Sequence, residues 1–278
     1  MISGKARLTG LLGWPVGHSR SPLLHNLWLQ RFGIDGVYVP LPVRPEDLAV
    51  VVPALARMGF IGVNVTVPHK QAVMTLLDLI DPVAERIGAV NCITVQPDGA
   101  LWGTNTDAAG FLLNLQEARP DFAAAAGPIV LLGAGGAARA AAAALLEAGA
   151  GEIRLLNRSL DKAQELVHSL GGPIRALPWS ERDEALAGAQ LLVNSTSLGM
   201  QGQPPLLLSL DALPADALVN DLVYAPLETP LLAAARARGN TVADGLGMLL
   251  QQAVPAFAAW WGATPRLTPE IRQLMQAP

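Results

Sequence analysis

Pro128-Ile129-Val130-Leu131-Leu132-Gly133-Ala134-Gly135-Gly136-Ala137-Ala138-Arg139 decides the fold. An apolar run of strand length enters a glycine-rich turn, and an Ala-rich helical segment follows over 137–148. The order is strand, G-x-G-x-x-A, helix. Gly133 permits the tight turn, Gly135 lets backbone approach a pyrophosphate, and the small Ala138 allows close helix–strand packing. Free N–H groups and the dipole at the helix N-terminus favour an anion there. A glycine pattern by itself also suits a plain packing turn, but the strand–turn–helix context points to a dinucleotide.

The next strand chooses between dinucleotides. Sites for NAD usually place Asp or Glu about 20 residues on, against the ribose 2′-OH. Here Ile153-Arg154-Leu155-Leu156-Asn157-Arg158-Ser159 ends without an acid. Arg158 can meet a 2′-phosphate face-on, and Lys162 follows one helical turn later. The expected cofactor is NADP, with a solvated charged helix start as the competing reading.

Working outward, strands and helices alternate along the chain. Leu8–Gly13, Val37–Val43 and Phe60–Val67 read as strands, with helices at Pro22–Arg31 and Pro45–Met58 opened by proline. Ala89–Val95 and Leu101–Gly103 flank the Asp98-Gly99 turn of a hairpin. Ile129–Leu132, Ile153–Leu156, Leu191–Asn194 and Leu218–Leu222 form a second strand set, with helices at 137–148, 161–170 and 229–238. A last helical region begins with Leu246–Trp261. Repeated βα units imply parallel sheets covered by helices. The Ala/Gly/Pro stretch at 119–128 separates the two sets.

Composition agrees. The 278 residues amount to about two domains. With 51% hydrophobic and 15% charged residues, disorder is excluded. A mean hydropathy of +0.35 raises the question of a membrane. Ala185–Leu210 and Gly245–Pro265 carry no charged residue but are broken by polar residues and prolines, so neither reads as a span. The apolar patch after Lys5 and Arg7 is too short and too glycine-rich for a signal peptide. A cytoplasmic protein that binds no membrane is expected. The net charge of −4 argues against nucleic-acid binding. The single Cys92 and four scattered histidines suggest neither a disulfide nor a metal site.

Four polar patches in the first half break the apolar pattern. Ser19 and Ser21 precede a helix; Ser21 before Pro22 looks like an N-cap, while two hydroxyls near free amides could hold a carboxylate. Asn64 and Thr66 share a strand face, and Lys70 is expected at the start of a helix. A cation in a first helical turn opposes the dipole, a field that would ease release of its proton, as a lysine that exchanges protons needs. Only three of the 19 basic residues are lysine, so Lys70 in a chain that prefers arginine reads as chemistry. Asn91 and Asn105-Thr106-Asp107 complete the set. Asp107 suits a helix N-terminus and could equally partner Lys70.

The motifs GxPVxHSxSPxxHN at 13–26, NVTVPxK at 64–70, GAVN at 88–91, NTD at 105–107, GAGGAAR at 133–139, NR at 157–158, NSTSLGM at 194–200, DLVYxPLxTPLL at 221–232 and DGLGMLxxQA at 244–253 run in order over nearly the whole chain. Together they resemble the shikimate dehydrogenase family. The resemblance implies a two-domain α/β fold. Residues 1–107 and 246–278 would form a substrate domain with a mostly parallel sheet, and residues 108–245 a Rossmann-type NADP domain, with a C-terminal helix returning to the first. It implies reversible NADPH-dependent reduction of 3-dehydroshikimate to shikimate, a step of aromatic amino-acid and chorismate biosynthesis, in a cleft between the domains. Lys70 and Asp107 would be the catalytic pair. Ser19 and Ser21 would bind the shikimate carboxylate, and Asn64, Thr66, Asn91, Asp107 and Gln252 its hydroxyls, with Tyr224 nearby. Gly133, Ala134, Gly135, Gly136 and Ala137 would form the phosphate loop; Asn157, Arg158, Ser159 and Lys162 would meet the adenosine phosphate; Gly245 and Met248 would lie near the nicotinamide. The resemblance leaves a homodimer open, along with a quinate/shikimate dehydrogenase of relaxed cofactor and substrate use. His69, Ser159 and Lys162 depart from the usual family residues.

Overall fold

A computed structural model describes residues 2–276. Its contacts divide the chain into two compact units, Met1–Thr106 with Gln252–Pro278, and Asp107–Gln251.

The first unit begins β1 (Arg7–Gly13), α1 (Ser21–Arg31) and β2 (Gly36–Pro42), followed by α2 (Leu48–Ala54), β3 (Phe60–Val65), β4 (Leu79–Ile80), α3 (Pro82–Ile87), β5 (Cys92–Val95) and β6 (Leu101–Thr104). The six strands lie in the order β2-β1-β3-β5-β6-β4. β5 pairs antiparallel with both β3 and β6, whereas the other pairings are parallel. Five strands therefore share a direction and the hairpin strand opposes them. The expected Pro45–Met58 helix is instead a 3-10 turn, Pro45–Asp47, followed by the short α2, which contains Pro53. Leu12, Val63, Val65, Ile93 and Leu101 from the strands pack on Leu48, Val52 and Leu55 from the α2 region. Asn26 on α1 secures the edge strand: its Nδ2 donates to the Tyr38 carbonyl at 2.8 Å and its Oδ1 accepts from the Tyr38 N–H at 3.0 Å. The side chain supplies the ladder bonds that a further strand would have made.

The second unit begins with α4 (Asp107–Ala118) and continues β7 (Ile129–Leu132), α5 (Gly136–Glu147), β8 (Ile153–Leu156), α6 (Leu160–Leu170), β9 (Ile174–Leu177), β10 (Leu191–Asn194), β11 (Leu218–Asp221), α7 (Pro230–Ala237) and β12 (Thr241–Ala243). Its sheet runs β12-β11-β10-β7-β8-β9, and every pairing is parallel. The strand order reverses direction between β7 and β10, the switch point at which open α/β sheets take their ligands. β7 and β10 are buried over all four residues each, as a strand covered on both faces must be.

The division between units falls within α8 (Gly245–Trp261), after which α9 (Pro269–Gln276) closes the described chain. In the first unit, Phe257 and Trp260 of α8 pack with His25 and Trp28 of α1. No helix among the described residues is long and apolar enough to cross a membrane. The apolar excess resides instead in two helix-covered sheets.

Candidate active site

In the first unit the polar patches converge at the carboxyl ends of β1 and β3. The Thr66 N–H donates to the Leu12 carbonyl at 2.8 Å and the Trp14 N–H to the Val67 carbonyl at 3.0 Å, so these segments run together past the ends of the strands. The Thr66 methyl occupies the space where a side chain at Gly13 would stand, which explains the glycine. Ser21 does not cap α1: the helix starts at Ser21 itself, and the cap position, Arg20, makes no side-chain capping bond. Instead the Ser19 hydroxyl accepts from the Ser21 N–H at 3.3 Å.

Asn64 is buried at the end of β3. Its Nδ2 donates to the Asn91 carbonyl at 3.1 Å and its Oδ1 accepts from the Tyr38 hydroxyl at 2.8 Å. Asn91 donates through Nδ2 to Thr106 Oγ1 at 2.9 Å and to Gln252 Oε1 at 3.3 Å, and its Oδ1 accepts from the Thr106 N–H at 2.8 Å. Three of the sequence-derived candidates, Asn64, Asn91 and Gln252, thus share one buried hydrogen-bond network. Asn105 joins from its flank, its Nδ2 donating to the Ala89 carbonyl at 2.8 Å.

Tyr38 and Thr106 are members that sequence reasoning missed. Tyr38 sits in an apolar strand with no motif around it. Burial pushes its phenol well above its usual range, with the Ser21 hydroxyl as a further hydrogen-bond partner. It therefore stays a proton donor to Asn64. Thr106 lay within a quoted motif but was given no role.

Lys70 is half-buried, and its carbonyl accepts from the Val90 N–H at 2.8 Å, which ties its segment to the strand carrying Asn91. One expectation fails here. Residues 67–71 form a turn, and the segment directly after it is a five-residue 3-10 helix, Ala72–Leu76. Lys70 occupies no first helical turn, so the dipole argument does not apply to it. Pro68 and the tight His69–Val73 turn, whose N–H to carbonyl distance is 2.9 Å, occupy the place of a longer helix. The neighbouring His69 has a structural role: it is buried, and its Nε2 donates to the Val43 carbonyl at 2.8 Å. Asp107, the first residue of α4, is buried at 5% exposure.

In the second unit Gly133 has φ 112°, and a Cβ there would stand 2.6 Å from Ser195 Oγ, so only glycine fits. A Cβ at Gly135 would meet nothing within 4 Å, leaving its backbone open to a ligand. α5 begins at Gly136 and carries no side-chain cap, so its first amides face the loop with no side-chain acceptor. This arrangement fits a dinucleotide pyrophosphate. Ala134 and Ala137 fill the loop with minimal bulk. Arg139, although in the same motif, is buried and donates to Ser169 Oγ on α6 at 3.1 Å; it packs helices rather than facing the loop.

After β8, Asn157 folds the turn by donating to the Ser159 carbonyl at 2.9 Å, and Arg158 and Lys162 stand exposed at the start of α6. These cations suit a phosphate on the adenosine side. Gly245 opens α8 where the Leu222 carbonyl leaves no room for a Cβ, while Met248 is buried and Tyr224 half-buried.

The comparisons agree with this geometry. The profile for the shikimate dehydrogenase substrate-binding domain matches residues 11–93, and that for shikimate/quinate 5-dehydrogenase matches residues 116–200. An NADP(+) shikimate dehydrogenase from Paramagnetospirillum magneticum is 58% identical over 271 residues, covering 98% of each chain. Shikimate 5-dehydrogenase from Thermus thermophilus, solved with NADP(H) and shikimate, is 38% identical with a TM-score of 0.84, over 97% of this chain and 98% of that one. Quinate dehydrogenase from Corynebacterium glutamicum, solved with NAD, is 32% identical with a TM-score of 0.88, over 96% and 98% of the two chains. This chain belongs to the shikimate dehydrogenase family.

Proposed function

We propose that this chain reduces 3-dehydroshikimate reversibly to shikimate with NADPH. The observation that carries the reading is the buried network of Asn64, Asn91 and Gln252, flanked by Ser19, Ser21, Thr66 and Lys70. Amides fixed by internal hydrogen bonds recognise ring hydroxyls, and two serine hydroxyls suit a small carboxylate. Bound dihydronicotinamide supplies the hydride. The Lys70 ammonium gives a proton to the oxygen that becomes the C3 hydroxyl, with Asp107 as the other member of the catalytic pair. Tyr224 lines the substrate side. Gly133 to Ala137 cradle the pyrophosphate on the N-terminus of α5; Asn157, Arg158, Ser159 and Lys162 take the 2′-phosphate; and Gly245 and Met248 leave a close, apolar approach for the nicotinamide. A cytoplasmic setting, where NADPH is held reduced, suits this role.

The decisive experiment is Lys70→Ala. Losing a positioned general acid lowers kcat by about 10²–10⁴-fold. NADPH affinity measured by fluorescence titration should stay within about twofold, because the lysine lies outside the phosphate loop and the α6 turn. Turnover close to wild type would remove Lys70 from the chemistry.

The similarity to an NAD-bound quinate dehydrogenase raises a second reading, a shikimate/quinate enzyme of relaxed cofactor use. The exposed Arg158 and Lys162 argue for NADP. Comparing kcat/KM for shikimate with NADP, shikimate with NAD, and quinate with each separates the two.

A further inference from the structure

Asp221 ends β11, is 1% exposed, and takes no part in the chemistry above. Its carboxyl collects three donors from three segments. Oδ1 accepts from Asn194 Nδ2 at 2.9 Å and from the Val223 N–H at 3.0 Å, and Oδ2 accepts from the Thr229 hydroxyl at 2.7 Å. Each donor begins a connection at the carboxyl edge of the parallel sheet: the turn after β10, the turn after β11 and the start of α7.

The first connection leads to the cofactor loop. Asn194 Oδ1 accepts from the Thr196 N–H at 3.1 Å and its Oγ1 at 2.7 Å, and its Nδ2 also reaches the Leu198 carbonyl at 3.1 Å, so one side chain folds the whole turn. Ser195 in that turn donates its N–H and hydroxyl to the Leu132 carbonyl, at 2.9 and 2.6 Å, and fills the space beside Gly133. The second leads to α8: the Val223 carbonyl accepts from the Gly245 N–H at 3.3 Å.

The sheet order sorts these contacts. On one side of the β7/β10 switch point lies β8 with the α6 cations, which take the adenosine end of a dinucleotide. The β10 and β11 connections, with Gly245, are left for the other end. A buried carboxylate is costly, and an apolar residue would often pack there as well or better. Burial does push this carboxyl up to about 6 despite its three donors.

We infer that Asp221 is a positioning residue for the nicotinamide half of the NADP site, holding the turns after β10 and β11 in the arrangement that receives the ring. The inference rests on the assignment of the Gly133 loop to the pyrophosphate and of Gly245 to the nicotinamide side.

The test separates the two halves of the ligand. Isothermal titration with NADP+ and with 2′,5′-ADP, which carries only the adenosine half, is run on wild type, Asp221→Ala and Asp221→Asn. Alanine should weaken NADP+ roughly tenfold or more, the effect of losing hydrogen bonds to a charged group. Its affinity for 2′,5′-ADP should stay within about twofold, since those contacts lie across the switch point. Asparagine should recover most of the loss, because its Oδ1 still accepts from Asn194 and Val223 while its Nδ2 donates to Thr229 Oγ1. Equal weakening of both ligands would make Asp221 a general scaffold and overturn the inference, as would unaltered NADP+ binding. Should Asp221→Ala fail to fold, Asn194→Ala cuts the link from the other end and should show the same split; failure of that variant to fold, or its unaltered binding, also overturns the inference. Wild-type protein that does not bind 2′,5′-ADP would instead refute the underlying assignment of the adenosine site.

Discussion

His25→Leu should make the protein more resistant to acid, by an amount the surroundings of His25 define. The ring is wholly buried on α1, stacked on Tyr38 at 4.2 Å and 13°, with Trp28 edge-on at 5.5 Å. Neither ring nitrogen has a hydrogen-bond partner among the described residues. Burial lowers its pKa from 6.5 to about 3. The unfolded chain therefore binds a proton between pH 6.5 and 3 that the folded chain refuses. The depressed value means that stability is full above 6.5 and is lost progressively as pH falls toward 3. At about 1.4 kcal/mol per unit, moving from pH 7.5 to pH 5 costs the wild type about 2 kcal/mol through this residue alone. Leucine has similar volume and no proton to refuse. At pH 7.5 it exchanges ring stacking of about 1 kcal/mol for relief of an unsatisfied ring N–H, worth about 1–3 kcal/mol, and of an unsatisfied ring acceptor, so stability there should be equal or somewhat higher. Urea unfolding followed by tryptophan fluorescence at pH 7.5, 6 and 5 measures the difference, with attention to the transition of the Trp28-containing unit. Parallel stability–pH curves for wild type and His25→Leu would refute the reasoning.

Gly62→Ala should cost about 2–4 kcal/mol, because the added Cβ would overlap the Trp260 indole and displace its Nε1 from the Ile93 carbonyl, a bond of 3.0 Å; thermal unfolding checks it, and a wild-type melting temperature would show that the indole can move freely. Arg158→Ser should raise KM for NADPH roughly tenfold while leaving KM for NADH nearly unchanged, since an exposed guanidinium on a phosphate contributes at the low end of charged hydrogen bonds; steady-state kinetics with both cofactors decides it, and equal effects on both would dismiss Arg158 as a 2′-phosphate ligand.

Four of the six strands of the second sheet were legible because their signal is local. Ile129–Leu132, Ile153–Leu156 and Leu191–Asn194 are continuous apolar runs bounded by turn residues, and all three form strands with those limits. What escaped was short, polar or half-exposed, as in the edge strand Ile174–Leu177, where only Ile174 is buried. Thr241–Ala243 is a strand of three residues whose pairing depends on β11 beside it, and Leu79–Ile80 is a strand of two that exists only because β6 lies there. Such segments carry no period of their own. The Pro45–Met58 helix was over-read for the opposite reason: its apolar spacing is helical, but Pro53 and the 3-10 start shorten it to seven residues.

The candidate site divides along a different line. The residues proposed to touch ligands sit in motifs, so Ser19, Asn64, Lys70, Asn91 and the Gly133 loop could be singled out from spacing and residue type. Residues that hold those groups in place are ordinary-looking members of apolar strands. Tyr38 alternates with valine and proline in β2 and became visible only when its hydroxyl was found on Asn64. Asp221 and Thr229 do stand in the DLVYxPLxTPLL motif and Asn194 in NSTSLGM, but neither motif announces that Asp221 bonds to Asn194, 27 residues earlier, and to Thr229, eight residues later. A hydrogen bond between distant segments leaves no periodic trace, because each partner satisfies only its own local pattern. The same holds in reverse for Lys70. The scarcity of lysine in an arginine-rich chain singled it out, but the helix dipole invoked to explain it belonged to a helix that the chain does not form. With the dipole set aside, the proposed catalytic pairing with Asp107 remains to be tested, and the Lys70→Ala experiment is best read beside Asp107→Asn. If Asp107 works with Lys70 in proton transfer, the asparagine variant should lose kcat while retaining most substrate affinity, since an amide still hydrogen-bonds a hydroxyl, a split that loss of a merely helix-capping aspartate would not produce.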